Sequence, residues 1–290
     1  MKVGFVGLGT MGAPMAGHQL KALGALTVWN RTPAKAAPLA EAGASVAESL
    51  VDLARECDLV FLNVNRSEDV RECLTALLET ARPGTLFVDH STIAPDAARE
   101  CAVLAKAKGC RFVDAPVTGG SLGAQNGTLT IFLGGEEEDV EEAIAAVQPY
   151  AKNARRVGPS GAGQTMKLAN QIAVGGALQA LCESLAFAGH AGLDIAQARE
   201  MIAGGSGGSW AFENYGPKIL AEDWTPGFSV KNQRKDFGYT IAAAREIGAS
   251  VPSTELTDRL LGELQDAGRG EDTTAALYDV LAGNALAKSR

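Results

Sequence analysis

Met1-Lys2-Val3-Gly4-Phe5-Val6-Gly7-Leu8-Gly9-Thr10-Met11-Gly12 opens the chain and decides how its first half is read. A short apolar run stops at a glycine, and a helical pattern follows from about Met11 to Leu23. The intervening Gly7-Leu8-Gly9-Thr10-Met11-Gly12 is a GxGxxG motif set between a strand and a helix. With 34 glycines in the chain a chance match is easy, so that context carries the weight. Gly7 permits the tight turn, Gly9 lets backbone approach a pyrophosphate, and Gly12 brings the helix close to the strand. The helix N-terminus then presents N–H groups and partial positive charge to phosphates. Residues 7–12 are therefore candidate cofactor-binding residues.

Working outward, a second strand is expected at Leu26–Trp29, with more at Leu59–Val64, Thr85–Asp89, Phe112–Asp114 and Leu129–Leu133. Helical pieces rich in Ala, Leu and Glu separate them. This alternation implies crossover units and a mostly parallel sheet, and near-continuous apolar strands fit a sheet covered on both faces. The rhythm ends near Gly158-Pro159-Ser160-Gly161. Beyond Gly163 no strand is expected. Gln164 to Gly189 reads as one helix of roughly 25 residues, about 40 Å long. Its small residues, among them Gly175 and Gly176, allow close approach of a neighbouring helix. Further helices are expected over Ile195–Ala203, Phe237–Ile247, Ser253–Ala267 and Thr274–Ala282. The fold class is an α/β Rossmann N-terminal domain (1–160) plus an all-α C-terminal domain (161–290), joined by a long helix.

The second strand ends Val28-Trp29-Asn30-Arg31-Thr32. An NAD site usually carries an acidic residue about 20 residues after the glycines, to accept hydrogen bonds from the ribose 2′-hydroxyl. Here Asn30, Arg31 and Thr32 occupy that place, and a guanidinium pairs a 2′-phosphate in bidentate fashion. NADP is thus the expected cofactor, with NAD less preferred.

Lys167 and Asn170 lie three apart in the long helix and share a face. Hydride transfer to a carbonyl leaves negative charge on its oxygen, which an ammonium stabilises and protonates, so Lys167 is the candidate general acid and base. The bland alternative is a solvated helix lysine beside an ordinary asparagine. Thr118-Gly119-Gly120 follows the strand ending at Asp114, and successive glycines turn N–H groups toward an anion such as a carboxylate. Ser91 and Thr92 follow another strand, at the sheet edge where ligands bind; capping the next helix is the competing reading. His90 is read as a packed core histidine. Gly204 to Trp210 lacks the terminal Gly-Lys-Ser/Thr of a phosphate loop and is read as a mobile connection between helices.

The balance of 26 basic against 34 acidic residues, net −8, argues against general nucleic-acid or membrane-surface binding. Five scattered cysteines without a CxxC pair read as reduced thiols, and three dispersed histidines without an HExxH motif argue against a metal site. The opening strand pattern leaves no room for a signal peptide, and no apolar run is expected to reach the ~18 residues of a membrane span. A cytoplasmic protein is expected.

The chain resembles the β-hydroxyacid dehydrogenase family, which includes 3-hydroxyisobutyrate dehydrogenase, tartronate semialdehyde reductase and glyoxylate/succinic semialdehyde reductases. Four ordered motifs carry the likeness almost end to end: GFVGLGTMGAPMA from Gly4, Asp114-Ala115-Pro116-Val117-Thr118-Gly119-Gly120, Gly163-Gln164-Thr165-Met166-Lys167-Leu168-Ala169-Asn170-Gln171, and Lys235-Asp236. The resemblance implies a homodimer or homotetramer with substrate held between the domains. It implies Lys167 as the catalytic lysine, Asn170 beside the substrate, and Thr118, Gly119 and Gly120 on its carboxylate. It also implies Thr92, Lys235 and the segment containing Val64 and Asn65 on the cofactor side. Thr118 departs from the family's usual serine, Gln171 from a second asparagine, and Asn63-Val64-Asn65 from a Leu-Pro segment; these leave the exact substrate open. The expected activity is interconversion of a small β-hydroxyacid and its semialdehyde. A glyoxylate or succinic semialdehyde reductase and a catalytically silent NADP-binding module stand as alternatives.

Overall fold

The computed structural model describes residues 1–286. Nine strands form one sheet: β1 (Val3–Val6), β2 (Thr27–Trp29), β3 (Ser45–Val46), β4 (Leu59–Leu62), β5 (Leu86–Asp89), β6 (Arg111–Asp114), β7 (Val117–Thr118), β8 (Leu129–Gly134) and β9 (Ala151–Gly158). Their order is β3-β2-β1-β4-β5-β6-β8-β7, with β9 paired to β8. The first six strands are parallel, while β8 runs antiparallel to β6 and β7. Chain order reverses at β1, with β2 on one side and β4 on the other. Ligands bind at such a switch point in open α/β sheets.

Seven helices accompany the sheet: α1 (Gly12–Leu23), α2 (Ala37–Glu41), α3 (Leu50–Glu56), α4 (Ser67–Leu77), α5 (Pro95–Ala107), α6 (Gly120–Asn126) and α7 (Glu137–Val147). Every residue of β1, β4 and β5 is buried, because alternate side chains enter two separate cores. Phe5, Leu59 and Phe61 pack with Met15 and Val28; Val6, Val60 and Leu62 pack with Leu53, Leu74 and Phe87 on the other face.

After β9 the described residues contain only helices, turns and one isolated bridge, Ser229 to Thr273. The helices are α8 (Ala162–His190), α9 (Ile195–Ala203), α10 (Trp210–Asn214), α11 (Gly216–Leu220), α12 (Val230–Ile247), α13 (Pro252–Asp266) and α14 (Leu277–Leu281). The chain divides into two compact units within α8, Met1–Lys167 and Leu168–Arg290. The core of the second holds Leu178, Leu181 and Leu185 of α8 with Phe212, Phe237 and Leu261. A Cβ on Gly175 would overlap the Phe237 ring, so glycine there lets α12 pack against α8.

Several elements differ from expectation. β9 reads AKNARRVG, and none of its residues is fully buried, so no apolar alternation marks it. β3 and β7 are two-residue strands, too short to leave a pattern. α12 starts seven residues before Phe237, capped by Ser229, whose hydroxyl accepts the Asn232 N–H. The helix expected at 274–282 begins as a 3-10 turn, Thr274–Ala276. By length and composition alone α8, at 29 residues, could cross a membrane, contrary to the expectation that no run was long enough. Its fully buried Leu178, Leu181, Cys182 and Leu185 make it the core helix of the second unit.

Candidate active site

Sheet register aligns the loops singled out in the sequence. Trp29, Val6, Leu62, Asp89 and Asp114 are successive partners across β2, β1, β4, β5 and β6. The ladder then runs one residue into each loop: Gly7 N–H to Trp29 O, Asn63 N–H to Val6 O, His90 N–H to Leu62 O, and Ala115 N–H to Asp89 O. Five loops thus leave one edge of the sheet within roughly 20 Å, four strand spacings.

The glycine loop meets its geometric requirements. Gly7 has φ +95°, and a Cβ there would overlap the Asn63 carbonyl. A Cβ on Gly12 would overlap the Gly7 carbonyl oxygen, whereas one on Gly9 meets nothing within 4 Å. Gly9 is therefore the open face of the cradle. α1 begins at Gly12, and its N-cap residue Met11 makes no side-chain cap, leaving the helix N-terminus to an anion. These features fit a dinucleotide pyrophosphate. Asn30 braces the loop: its Oδ1 accepts the Leu8 N–H at 2.8 Å and its Nδ2 donates to Thr32 O at 2.9 Å. Arg31 extends outward, its side chain 81% exposed, with Nη1 3.2 Å from Asp69 Oδ1. Asn65 is exposed, and Val64 and Thr92 are half-buried.

Ser91 is buried, and its hydroxyl accepts the Val64 N–H at 2.9 Å. It ties the β5 loop to the β4 loop. The cap position of α5 falls instead to Ala94, whose N–H donates to Ser67 Oγ. Gln164, given no role in the sequence reading, straddles Thr92. Its Nε2 donates to Ser91 O at 2.8 Å and its Oε1 accepts from Ile93 N–H at 3.1 Å. Asp114 was also missed: its carboxylate accepts N–H bonds from Gly161 at 2.8 Å and Gln164 at 2.9 Å. The last residue of β6 thereby anchors the start of α8, one turn before Lys167. Burial pushes the Asp114 carboxyl up to about 6, against the lowering by these backbone bonds. Thr118 ends β7, and Gly119 (φ +129°) and Gly120 (φ +62°) turn the chain into α6; a Cβ on Gly120 meets nothing within 4 Å.

His90 is a core histidine, as expected. It stacks on Phe61, its Nδ1 lies 2.7 Å from Ala115 O and its Nε2 lies 2.8 Å from the Tyr150 hydroxyl. A carbonyl only accepts, so Nδ1 carries the proton and the tyrosine hydroxyl donates to Nε2. Burial pushes the imidazole down to about 4. The unfolded chain, with the ordinary value near 6.5, therefore binds more protons between these limits, and stability falls as pH drops through that window. The full loss is about 3 kcal/mol. Asp114 acts in the opposite sense: its raised value contributes stability below about 3.8 that is lost as pH rises through about 6. Comparing wild type with His90→Gln cancels that term. In urea unfolding, the stability difference is expected to shrink by about 2 kcal/mol between about pH 7 and about pH 4.5. A difference independent of pH would contradict the buried neutral imidazole.

Lys167 is buried, 7% exposed. In the second unit, Asn170 Nδ2 donates to Gln171 Oε1 at 3.2 Å, and Gln171 Nε2 donates to Asp236 Oδ2 at 2.7 Å. Asp236 Oδ1 lies 3.1 Å from Lys235 Nζ, which sits 5.7 Å from the Tyr239 ring centroid. Asp236 joins α8 to α12 and was not among the expected site residues. The signal was available: Gln233, Asp236, Phe237 and Thr240 are the buried face of α12 at helical spacing, and a charge on that face needs partners.

A parallel sheet with an open glycine cradle at its switch point, followed by an all-helical unit, defines the class of dinucleotide-binding two-part enzymes. A family model described as the NAD binding domain of 6-phosphogluconate dehydrogenase matches residues 2–158, and one described as the NAD-binding of NADP-dependent 3-hydroxyisobutyrate dehydrogenase matches 161–281. The chain belongs to the β-hydroxyacid dehydrogenase family and is an oxidoreductase. It is 40% identical over 280 residues to a probable 3-hydroxyisobutyrate dehydrogenase-like 1, mitochondrial, of Arabidopsis thaliana, covering 95% of this chain and 84% of that protein. It is 32% identical to the 2-hydroxy-3-oxopropionate reductase of Escherichia coli, covering 97% of each. The structure of Mycobacterium tuberculosis 3-hydroxyisobutyrate dehydrogenase with L-serine superposes with a TM-score of 0.88 at 31% identity, covering 97% of this chain and 98% of that one. Relatives that are dehydrogenases and reductases set aside the silent-module alternative.

Proposed function

We propose that this enzyme interconverts a small carboxylate-bearing β-hydroxyacid and its semialdehyde, with NADP(H) preferred over NAD(H) and Lys167 as general acid and base. The observation that carries the reading is a lysine buried in an apolar helix, one turn beyond a start fixed by Asp114. When bound, the nicotinamide cofactor supplies or accepts hydride. In reduction Lys167 gives a proton to the carbonyl oxygen as negative charge develops there; in oxidation its neutral amine takes the hydroxyl proton. Asn170 orients the same oxygen. Backbone N–H groups at Thr118, Gly119 and Gly120 bind the substrate carboxylate. Residues 7–12 cradle the pyrophosphate, with Val64, Asn65, Thr92 and Lys235 on the cofactor side. Ser91 acts through the Val64 backbone.

Arg31 pairs the 2′-phosphate, and the wording of the second family match, NADP-dependent, agrees with that preference. Arg31→Ala is expected to raise KM for NADPH about tenfold or more and to leave KM for NADH nearly unchanged. Equal effects on both cofactors would contradict the assignment.

Homo-oligomerisation belongs to the same proposal. Phe187 (75% exposed), Leu193 and Met201 (73% exposed) make an apolar face on α8, α9 and the turn between them, larger than a lone surface residue explains. Phe187→Asp with Met201→Asp is expected to lower the mass found by analytical ultracentrifugation to that of one chain; an unchanged mass would place the interface elsewhere. Five free, buried cysteines accord with the reducing cytoplasm as its compartment.

A further inference from the structure

Asp69 is the third residue of α4, and both of its carboxylate oxygens are engaged. Oδ2 accepts the Arg66 N–H at 3.1 Å, and Oδ1 lies 3.2 Å from Arg31 Nη1. The Arg66 bond fixes the carboxylate at the helix start, and the Asp69 side chain is only 22% exposed. Arg31, from the loop after β2, is the exposed member of the pair, its side chain 81% exposed. One edge of its guanidinium already meets an anion belonging to the protein.

We propose that Asp69 is a specificity-determining residue: a fixed negative charge that competes with the 2′-phosphate for Arg31 and moderates the selection of NADP(H) over NAD(H). The proposal rests on the reading of Arg31 as the phosphate partner. A phosphate dianion pairing with Arg31 either displaces Asp69 or binds beside it, and both routes cost affinity. At about 6 Å in water, repulsion between one and two charges is worth about tenfold in Kd. Salt at physiological strength reduces this to about threefold. NADH bears a 2′-hydroxyl there and gives the carboxylate nothing to repel. The pair therefore keeps both cofactors usable, where an unopposed arginine would favour one strongly.

Calorimetric titration of NADPH and of NADH into wild type, Asp69→Asn, Asp69→Glu and Arg31→Ala tests this without turnover. Asp69→Asn keeps an acceptor for the Arg66 N–H and removes the charge. It is expected to tighten NADPH three- to tenfold, roughly, with NADH within about twofold and the gain shrinking as salt rises. Asp69→Glu, which keeps the charge, is expected to stay near wild type. If Asp69→Asn leaves NADPH unchanged, or shifts both cofactors alike through a disturbed α4, while Arg31→Ala still erodes the NADPH preference, the inference about Asp69 fails alone. If Arg31→Ala leaves the ratio of the two affinities intact, the phosphate role of Arg31 fails and Asp69 goes with it.

Discussion

Lys167→Ala is expected to lower kcat about a thousandfold while the Kd for NADPH changes by less than about threefold. In the proposed mechanism the amine is both a countercharge for the oxyanion and the proton donor, so its loss removes two transition-state contributions at once. Lys167→Arg separates them. It keeps a cation but one that does not release its proton near neutrality, so reduction is expected to stay at least about a hundredfold slow. Steady-state kinetics with cofactor binding measured separately decides it. Retention of more than about a tenth of wild-type kcat in Lys167→Ala would place the proton donor elsewhere.

Gly12→Ala is the second large effect. The new methyl would overlap the Gly7 carbonyl oxygen, a backbone atom in a loop pinned on both sides by the sheet ladder, so nothing flexible can yield. A loss of about 3 kcal/mol in stability and of about a hundredfold or more in cofactor affinity is expected. Gly9→Ala gives the contrast. Its methyl meets nothing within 4 Å, so the variant should fold normally yet bind cofactor poorly, because the methyl fills space the phosphates need. Urea unfolding and calorimetry on the two variants check this. Equal stability losses, or a Gly9→Ala variant with full affinity, would contradict the cradle.

Much of the fold was legible because two periodicities were strong. Buried parallel strands such as Leu59–Leu62 leave unbroken apolar runs, and the change to helix after Gly163 is a change of period. β9 was not legible, since an exposed strand is held by its backbone ladder to β8 and its side chains carry no instruction. The candidate site divides in the same way. Residues proposed from a local motif, the glycines, Arg31 and Lys167, could be named from the sequence in order. Those whose role is a long-range brace could not: Gln164 reaches back across about seventy residues to Ser91, Asp114 across about fifty to the start of α8, and Gln171 across sixty-five to Asp236. Such bonds depend on which strand ends become neighbours. Register decides that, and no motif spacing records it. Ser91 illustrates the consequence, since its hydroxyl also accepts the Val64 N–H, a bond between two loops, and keeps its own proton to donate.

The most direct measurement follows the nicotinamide absorbance band as wild-type enzyme with NADPH meets a panel of short semialdehydes bearing a carboxylate, alongside the same aldehydes without it. Rapid oxidation of NADPH with the carboxylate-bearing members, slowed when the transferred hydrogen is deuterium, is the predicted result. NADPH that binds but is never oxidised by any member of the panel would contradict hydride transfer to this substrate class.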